Sequence, residues 1–358
     1  MGLTKTLLRR GAGIFATVGV TLILICVVAG ASGMEERILQ GKMNYARMGY
    51  ALSLASQVEA GQLNASEVDG LLQIYNQEAI TRFGLDKPWW GRLLPTLRMV
   101  VTFDLGETNT FMGTSVWGAI SEAIPQTLTL IVASMAVSAP LGILLGASRA
   151  RRAQTRGDFI YSLMSTASFA IPGWLLGYLL LAVFIRVWYG GMKYFGGFIS
   201  ASGTSAIASV NPTFNLFYRW ILPLTGLAIP SLGFWYYQSR STLVNIAQEE
   251  YVTVAEAKGL SQRRVNLRYI LRVGLPTILT QVGLVLHSTI ANSVPVEVIF
   301  GWHGLGHLLW RVAWSGGIEI YGSAGLLLGI VYAYALVYAA LRFAMEALYV
   351  FLDPRIRY

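Results

Sequence analysis

The sequence predicts an all-α membrane protein of six transmembrane helices, both termini cytoplasmic, with a long extracytoplasmic segment after the first helix. Three observations predict it. Of the 358 residues 54% are hydrophobic and only 13% charged, about half the charged share of a soluble domain. Six stretches approach or exceed the ~20 mainly apolar residues that a roughly 30 Å hydrocarbon core demands of a helix. The basic residues gather in the loops that alternate spans would leave on one side of the membrane.

The first stretch, residues 11–30, follows Lys5, Arg9 and Arg10. A secretory leader competes for it, because Ala29-Gly30-Ala31 resembles a small-residue cleavage site; its apolar run exceeds what a leader core needs, and it is read as a retained span. Cys26 is the only cysteine, which excludes an internal disulfide framework and any cysteine-based zinc or iron–sulfur centre. Ile25 ahead of it is too large for a lipoprotein signal.

Residues 31–118 read as the water-facing segment, with seven basic residues against nine acids. Two amphipathic helices are expected there, over 43–60 and 66–83, with Asn64 and Ser66 as start signals. Residues 119–358 carry the remaining spans, near 124–148, 159–189, 220–239, 273–299 and 321–350, and a second outer loop at 190–218. Pro140, Pro172, Pro230 and Pro295 fall inside them, which packed neighbours tolerate by satisfying the freed backbone groups. Gly142, Gly146, Gly283, Gly325 and Gly329 suit close helix packing.

The net charge of +9 admits nucleic acid, anionic lipid or cytoplasmic loops as explanations. Its distribution decides among them. Arg149, Arg151, Arg152 and Arg156 follow the second span; Arg240, Lys258, Arg263, Arg264, Arg268 and Arg272 follow the fourth; Arg355 and Arg357 lie beyond the sixth. With the three before the first span, fifteen of the 27 basic residues fall on one side if there are six spans. The short outer loops hold only Arg186, Lys193, Arg219 and Arg311. The positive charge therefore records orientation, and no nucleic-acid partner is read from it.

Between the fourth and fifth spans, residues 240–272 form a cytoplasmic loop with helix-forming character up to Gly259. Glu249 and Glu250 suit a helix start, Lys258 its end, and Gly259 a left-handed stop. Ala255 and Ala257 keep the helix slim enough for another protein's backbone to approach, and a second basic helix is expected over 262–272. Composition alone fits a topology-holding loop at least as well as a docking element.

The motifs are more specific than the composition. Tyr251-Val252-Thr253-Val254-Ala255-Glu256-Ala257-Lys258-Gly259-Leu260-Ser261, followed by Leu271-Arg272 and Leu275-Pro276, resembles the cytoplasmic signature of permease subunits of binding-protein-dependent ABC importers, nearest the dipeptide, oligopeptide and nickel branch. Phe83-Gly84-Leu85-Asp86-Lys87-Pro88, Asp104-Leu105-Gly106, Ser168-Phe169-Ala170-Ile171-Pro172-Gly173-Trp174, Val296 to Gly306 and the terminal Leu352-Asp353-Pro354-Arg355-Ile356-Arg357-Tyr358 resemble the same branch. The branch's Pro-Gly-Asp-Pro region after the first span is absent, and its Asn-Ala-Leu-Leu-Pro is shortened to Val273-Gly274-Leu275-Pro276.

The resemblance implies a type I ABC importer permease fold, with residues 119–358 as a core of five transmembrane helices. It implies assembly in a bacterial or archaeal inner membrane with a second homologous permease, two ATP-binding subunits and an extracytoplasmic solute-binding protein. Glu250, Tyr251, Thr253, Ala255, Ala257, Lys258 and Gly259 would couple to the ATPase. The solute would be a di- or oligopeptide, with a nickel complex or another small solute as the alternative. No cofactor and no resident metal are expected. No Gly-x-x-x-x-Gly-Lys-Ser/Thr loop, Gly-x-Ser-x-Gly elbow or His-Glu-x-x-His motif occurs, so neither nucleotide hydrolysis nor hydrolase chemistry is read in the chain itself. The rival of another class is an ATP-independent carrier or channel.

Ionisable groups inside spans are costly, which makes them a short list. Glu297, near the outer end of the fifth span, and His287, at its middle, are the candidates for the translocation path, with a capping or inter-subunit role as the alternative for Glu297 and packing as the alternative for His287. Arg342 and Glu346 are spaced to pair along the sixth span. His303 and His307 have a metal-ligand spacing, but glycines separate them and no third ligand is near, so metal binding is not expected. The aromatic clusters at Trp89-Trp90, Trp188-Tyr189, Trp235-Tyr236-Tyr237 and Trp302 are read as membrane-interface markers.

Overall fold

The computed structural model describes residues 3–64, 67–106, 115–189, 216–314 and 323–352. Ser66, residues 190–215 of the second outer loop with Lys193, and the terminal string 353–358 with Arg355 and Arg357 lie outside the described residues. The described chain is helical: α1 (Leu3–Ala31), α2 (Met34–Glu59), α3 (Val68–Phe83), α4 (Leu93–Val101), α5 (Val116–Ala150), α6 (Arg156–Ala170), α7 (Gly173–Tyr189), α8 (Leu222–Ala247), α9 (Glu250–Ala257), α10 (Gln262–Arg264), α11 (Arg272–Leu279), α12 (Val282–Phe300), α13 (Leu305–Trp314) and α14 (Ser323–Leu352). A π-helical stretch, Val265–Leu271, joins α10 to α11.

Among the described residues four helical segments are long and apolar enough to cross a membrane: Leu8–Ala31, Val116–Ala150, Val282–Phe300 and Ala324–Leu348. They fall on the expected first, second, fifth and sixth spans. The expected third span is not one straight helix: α6 and α7 meet at a 101° bend. Pro172 causes it, since a residue before proline is driven out of helical geometry, and Ile171 is extended at φ −82°, ψ 127°. The expected fourth span, 220–239, falls within α8, which runs 26 residues and continues past Ser239 to Ala247. Thr225, Ser231, Gln238, Ser239 and Arg240 dilute its apolar content. The fifth span starts later than expected, because the helix is interrupted at Thr280 and Gln281 between α11 and α12.

The helices group into two compact units. One comprises residues 1–14, 125–307 and 337–358, the other 15–124 and 308–336. In the first, α8 is the axis, packed against α6, α7, α11 and α12. Trp235 and Tyr236 are 0% and 2% exposed and form core instead of marking an interface, whereas Tyr237 of the same cluster is 46% exposed. Close approach makes that possible: a Cβ on Gly142 or Gly146 of α5 would strike the α8 backbone at Leu232 or Tyr236, and one on Gly233 would strike α6 at Ser165 and Ser168. A second apolar cluster joins Leu130, Leu181, Tyr218, Leu222, Leu227, Val296 and Phe300. Trp302 belongs to it and donates its indole N–H to the Gln126 carbonyl at 2.9 Å.

In the second unit α2 and α3 pair as a hairpin, with Tyr50 stacked on Tyr75 at 4.7 Å between ring centroids. α2 starts nine residues earlier than expected, directly after Gly33 in the left-handed region, with Glu35 and Glu36 complementing its first turn. Glu35 is buried and accepts from Arg92 at 3.2 Å and Thr96 at 2.5 Å. The Asp104-Leu105-Gly106 segment packs on α14, where Gly325 and Gly329 have no room for a Cβ beside Leu105. Lys42 secures Asp104 through an ion pair of 2.7 Å.

Candidate functional site: the cytoplasmic lever and its ties

α8 ends at Ala247 because Glu249 turns the chain into extended geometry, φ −69°, ψ 144°. The helix expected through this loop is therefore split, and α9 is a separate eight-residue rod, about 12 Å long. Its end is formed as the sequence predicts. Gly259 sits at φ 72°, and two hydrogen bonds close the helix, Gly259 N–H to the Glu256 carbonyl at 2.8 Å and Leu260 N–H to the Ala255 carbonyl at 3.4 Å. This is the Schellman arrangement, in which a residue without Cβ bears the left-handed conformation at least cost.

The rod has two faces. Val252 and Ala255, three residues apart, are 1% and 2% exposed and lie on one side of a 3.6-residue turn. They face inward where α9 packs against the stretch Val265–Leu271, whose Val265 and Ile270 are fully buried. Glu249, Glu250, Tyr251, Thr253, Val254, Glu256, Ala257, Lys258 and Gly259 are exposed. The slim pair expected at Ala255 and Ala257 is thus divided: Ala257 faces outward and Ala255 seats the rod. The Tyr251 hydroxyl donates to the Tyr269 carbonyl at 3.4 Å. Burial, with the Glu249 carboxylate adding to it, pushes the Tyr251 phenol above its ordinary pKa.

Two polar ties were not legible in the sequence. Arg151, in the turn after α5, pairs with Glu256 of α9 and donates to Gln262 of α10. Asp158, in the first turn of α6, is 2% exposed and accepts from Arg240 of α8 at 2.5 Å through both oxygens. Thr155 caps that turn by accepting from the Asp158 N–H at 3.2 Å, and the Gln154 N–H donates to Asp158 at 3.0 Å. Arg149 lies over the Tyr161 ring at 4.2 Å. These contacts fasten the ends of α5, α6, α8 and α9 to one another. The one signal that could have found them is Asp158, an acid at the edge of a loop otherwise full of arginine.

Glu297 and His287 are not brought together. His287 is on an exposed face of α12, while Glu297 is 0% exposed. One Glu297 oxygen accepts from the Thr127 hydroxyl at 2.8 Å; the other accepts from the Gly306 N–H at 2.6 Å and the His307 N–H at 3.3 Å. Thr127 in turn accepts from the Leu305 N–H at 2.8 Å. Gly304 lies so near that a Cβ would collide with Glu297 and Thr127. Glu297 thereby clasps the turn after α12 onto α5. The His303 and His307 rings lie 5.3 Å apart between centroids, with no third ligand grouped with them among the described residues. At the α6–α7 bend, a cavity of about 190 Å³ is lined by Pro172, Gly173, Ser231, Ser288, Thr289 and Asn292 among others, and by neither Glu297 nor His287.

Residues 138–358, which contain α6 through α14 and the whole lever, match the family described as binding-protein-dependent transport system inner membrane component. The chain belongs to this family. It is a permease of the binding-protein-dependent ABC importer class, as the Gly259 motif implied. It is 28% identical over 289 residues to the oligopeptide transport system permease protein AppB of Bacillus subtilis, covering 80% of this chain and 86% of that protein. It is likewise 28% identical over 298 residues to the di/tripeptide transport system permease protein DppB of Pseudomonas aeruginosa, covering 78% and 84%. Against the oligopeptide transport system permease protein OppB of Mycobacterium tuberculosis the identity is 27% over 276 residues, covering 76% and 82%. The permease is a multi-pass membrane protein of the transport class and not an enzyme of its own.

Proposed function

We propose that the permease forms, with a second homologous permease subunit, the path by which small peptides cross an inner membrane. Two separate ATP-binding subunits drive it, and an extracytoplasmic binding protein supplies the solute. The chain crosses six times, α8 and the bent α6–α7 pair included, with both termini on the cytoplasmic side. The observation that carries the reading is α9: a short rod seated by Val252 and Ala255, stopped at Gly259, and presenting Tyr251, Val254 and Ala257 outward. An exposed Val254 at 51% on a solvated cytoplasmic rod suits docking into a partner's groove.

Closure of the ATPase dimer would displace α9 as a unit. α8, a helix of about 39 Å, and the helical run from Gln262 to Leu279 leave its two ends and would carry the displacement into the spans. The Arg151 and Asp158 ties recruit α5 and α6 to the same movement. Packed helices of this kind switch between discrete arrangements, which suits alternating access. Peptide is proposed as the solute because the relatives named above are peptide permeases.

Uptake by the reconstituted complex tests the function. Labelled di- and tripeptides are expected to accumulate only with binding protein and ATP together. Accumulation that persists without ATP would make the chain a carrier or channel, and accumulation of a nickel complex but of no peptide would overturn the solute assignment.

A further inference from the structure

After Ser261 the chain runs as one helical stretch over residues 262–279, with the π-helical turn Val265–Leu271 between α10 and α11. Its buried stripe is Val265, Ile270, Gly274 and Ile278. The last three are four residues apart, the spacing that keeps side chains on one face of an α-helix. The step from Val265 to Ile270 is five. Residues five apart in an α-helix point about 140° away from each other, whereas the i→i+5 bonding of a π turn stacks them. The turn therefore holds one surplus residue, and that surplus puts Val265 beneath α9.

Asn266 marks the alternative. In an unbroken α-helical register it would stand four residues before Ile270, in the place Val265 now fills. Its side-chain oxygen is buried and meets no donor among the described residues, a cost that the present register carries. The irregularity could be removed from either end of the run, but only one end is open. Gly274 lies so close to Leu243 and Ile246 of α8 that a Cβ has no room, so Val273 cannot turn into its place. α11 is thus held, and α10, with the α9 that packs on the π turn, is the part free to rotate.

We infer that the π turn is a register switch between the lever and the helices that follow it. When α9 is displaced, α10 turns by one residue, about 100°, Asn266 replaces Val265 beneath α9, and the run becomes a continuous α-helix. The two registers are opposed in what they satisfy. The present one buries Val265 at 0% exposure but interrupts the α-helical bonding and leaves the Asn266 oxygen unpaired. The other completes the bonding and uncovers Val265. Such opposition gives two discrete positions instead of a continuous bend, which is what a lever needs to pass on an all-or-none motion. The inference rests on α9 being the coupling element and adds the joint through which its movement reaches α11.

The test uses the full-length chain in the reconstituted transport complex, with Cys26→Ala removing the only native thiol. Val265→Cys and Asn266→Cys are labelled with N-ethylmaleimide, without nucleotide and with ATP trapped by vanadate. Without nucleotide the thiol at 266 should react faster than the one at 265; in the trapped state the order should reverse. Deleting Asn266 leaves Val265 four residues before Ile270 and keeps every seat, so the complex should retain its ATPase subunits and lose uptake. Protection of position 265 that persists through the ATP cycle of a transporting complex would overturn the switch and leave the lever standing. Wild-type uptake by the deletion would do the same, showing the surplus residue to be a static irregularity. Should the deletion fail to assemble, the two labelling rates decide alone. Failure of the unmutated chain to hold ATPase subunits would instead remove the lever, and the switch with it.

Discussion

Ala255→Asp strongly lowers ATP-driven uptake while leaving the protein in the membrane. Ala255 is 2% exposed where α9 meets Val265–Leu271, and an unpaired buried carboxylate there costs several kcal/mol. The rod would leave its seat instead of paying for burial of the charge, and the ATPase would push on an element no longer joined to the spans. Since about 1.4 kcal/mol is a factor of ten, uptake should fall by about two orders of magnitude. Insertion is spared because α9 lies outside the spans. Ala255→Ser, which adds one hydroxyl and no charge, should keep most of the activity. Uptake by reconstituted vesicles, alongside the amount of chain in the membrane fraction, measures both effects. Wild-type uptake by Ala255→Asp would show that the seat is dispensable.

Glu297→Ala destabilises the permease more than it slows each assembled transporter. It leaves the Thr127 hydroxyl and the Gly306 and His307 N–H groups without their acceptor at a site 0% exposed. Each orphaned group costs about 1–3 kcal/mol, so the midpoint of thermal unfolding should drop clearly and the yield with it. Glu297→Gln keeps one acceptor oxygen and presents an amide to the remaining donors, and should fall between. A changed rate or solute preference with an unchanged unfolding midpoint would instead assign Glu297 to the path, the role its place in an apolar span first suggests.

Local signals were legible and distant ones were not. The Gly259 stop could be read from the chain because a left-handed residue is decided within one turn of helix. The long apolar runs of α1, α5 and α14 could be read because a bilayer asks mainly for length and hydropathy. Pro172 reads in the sequence as tolerated within one continuous third span; the 101° bend between α6 and α7 forms where α8 packs against both, a contact no local signal announces. Which side of α9 faces inward was not legible, since an eight-residue helix with two valines and two alanines offers apolar residues all round. The role of Glu297 depends on Thr127, 170 residues earlier. The Arg151 tie joins residues 105 apart, and in the sequence Arg151 is only one more basic residue in a basic loop.

Cross-linking from the two faces of α9 to the ATPase subunit tests the coupling claim most directly. A photoreactive residue is placed at Val254, 51% exposed, or at Val252, 1% exposed, in the assembled complex. A strong adduct with the ATPase is expected from Val254, changing in yield as ATP binds and is hydrolysed, and none from Val252. Absence of an adduct from Val254, or an equal adduct from Val252, would contradict the coupling claim.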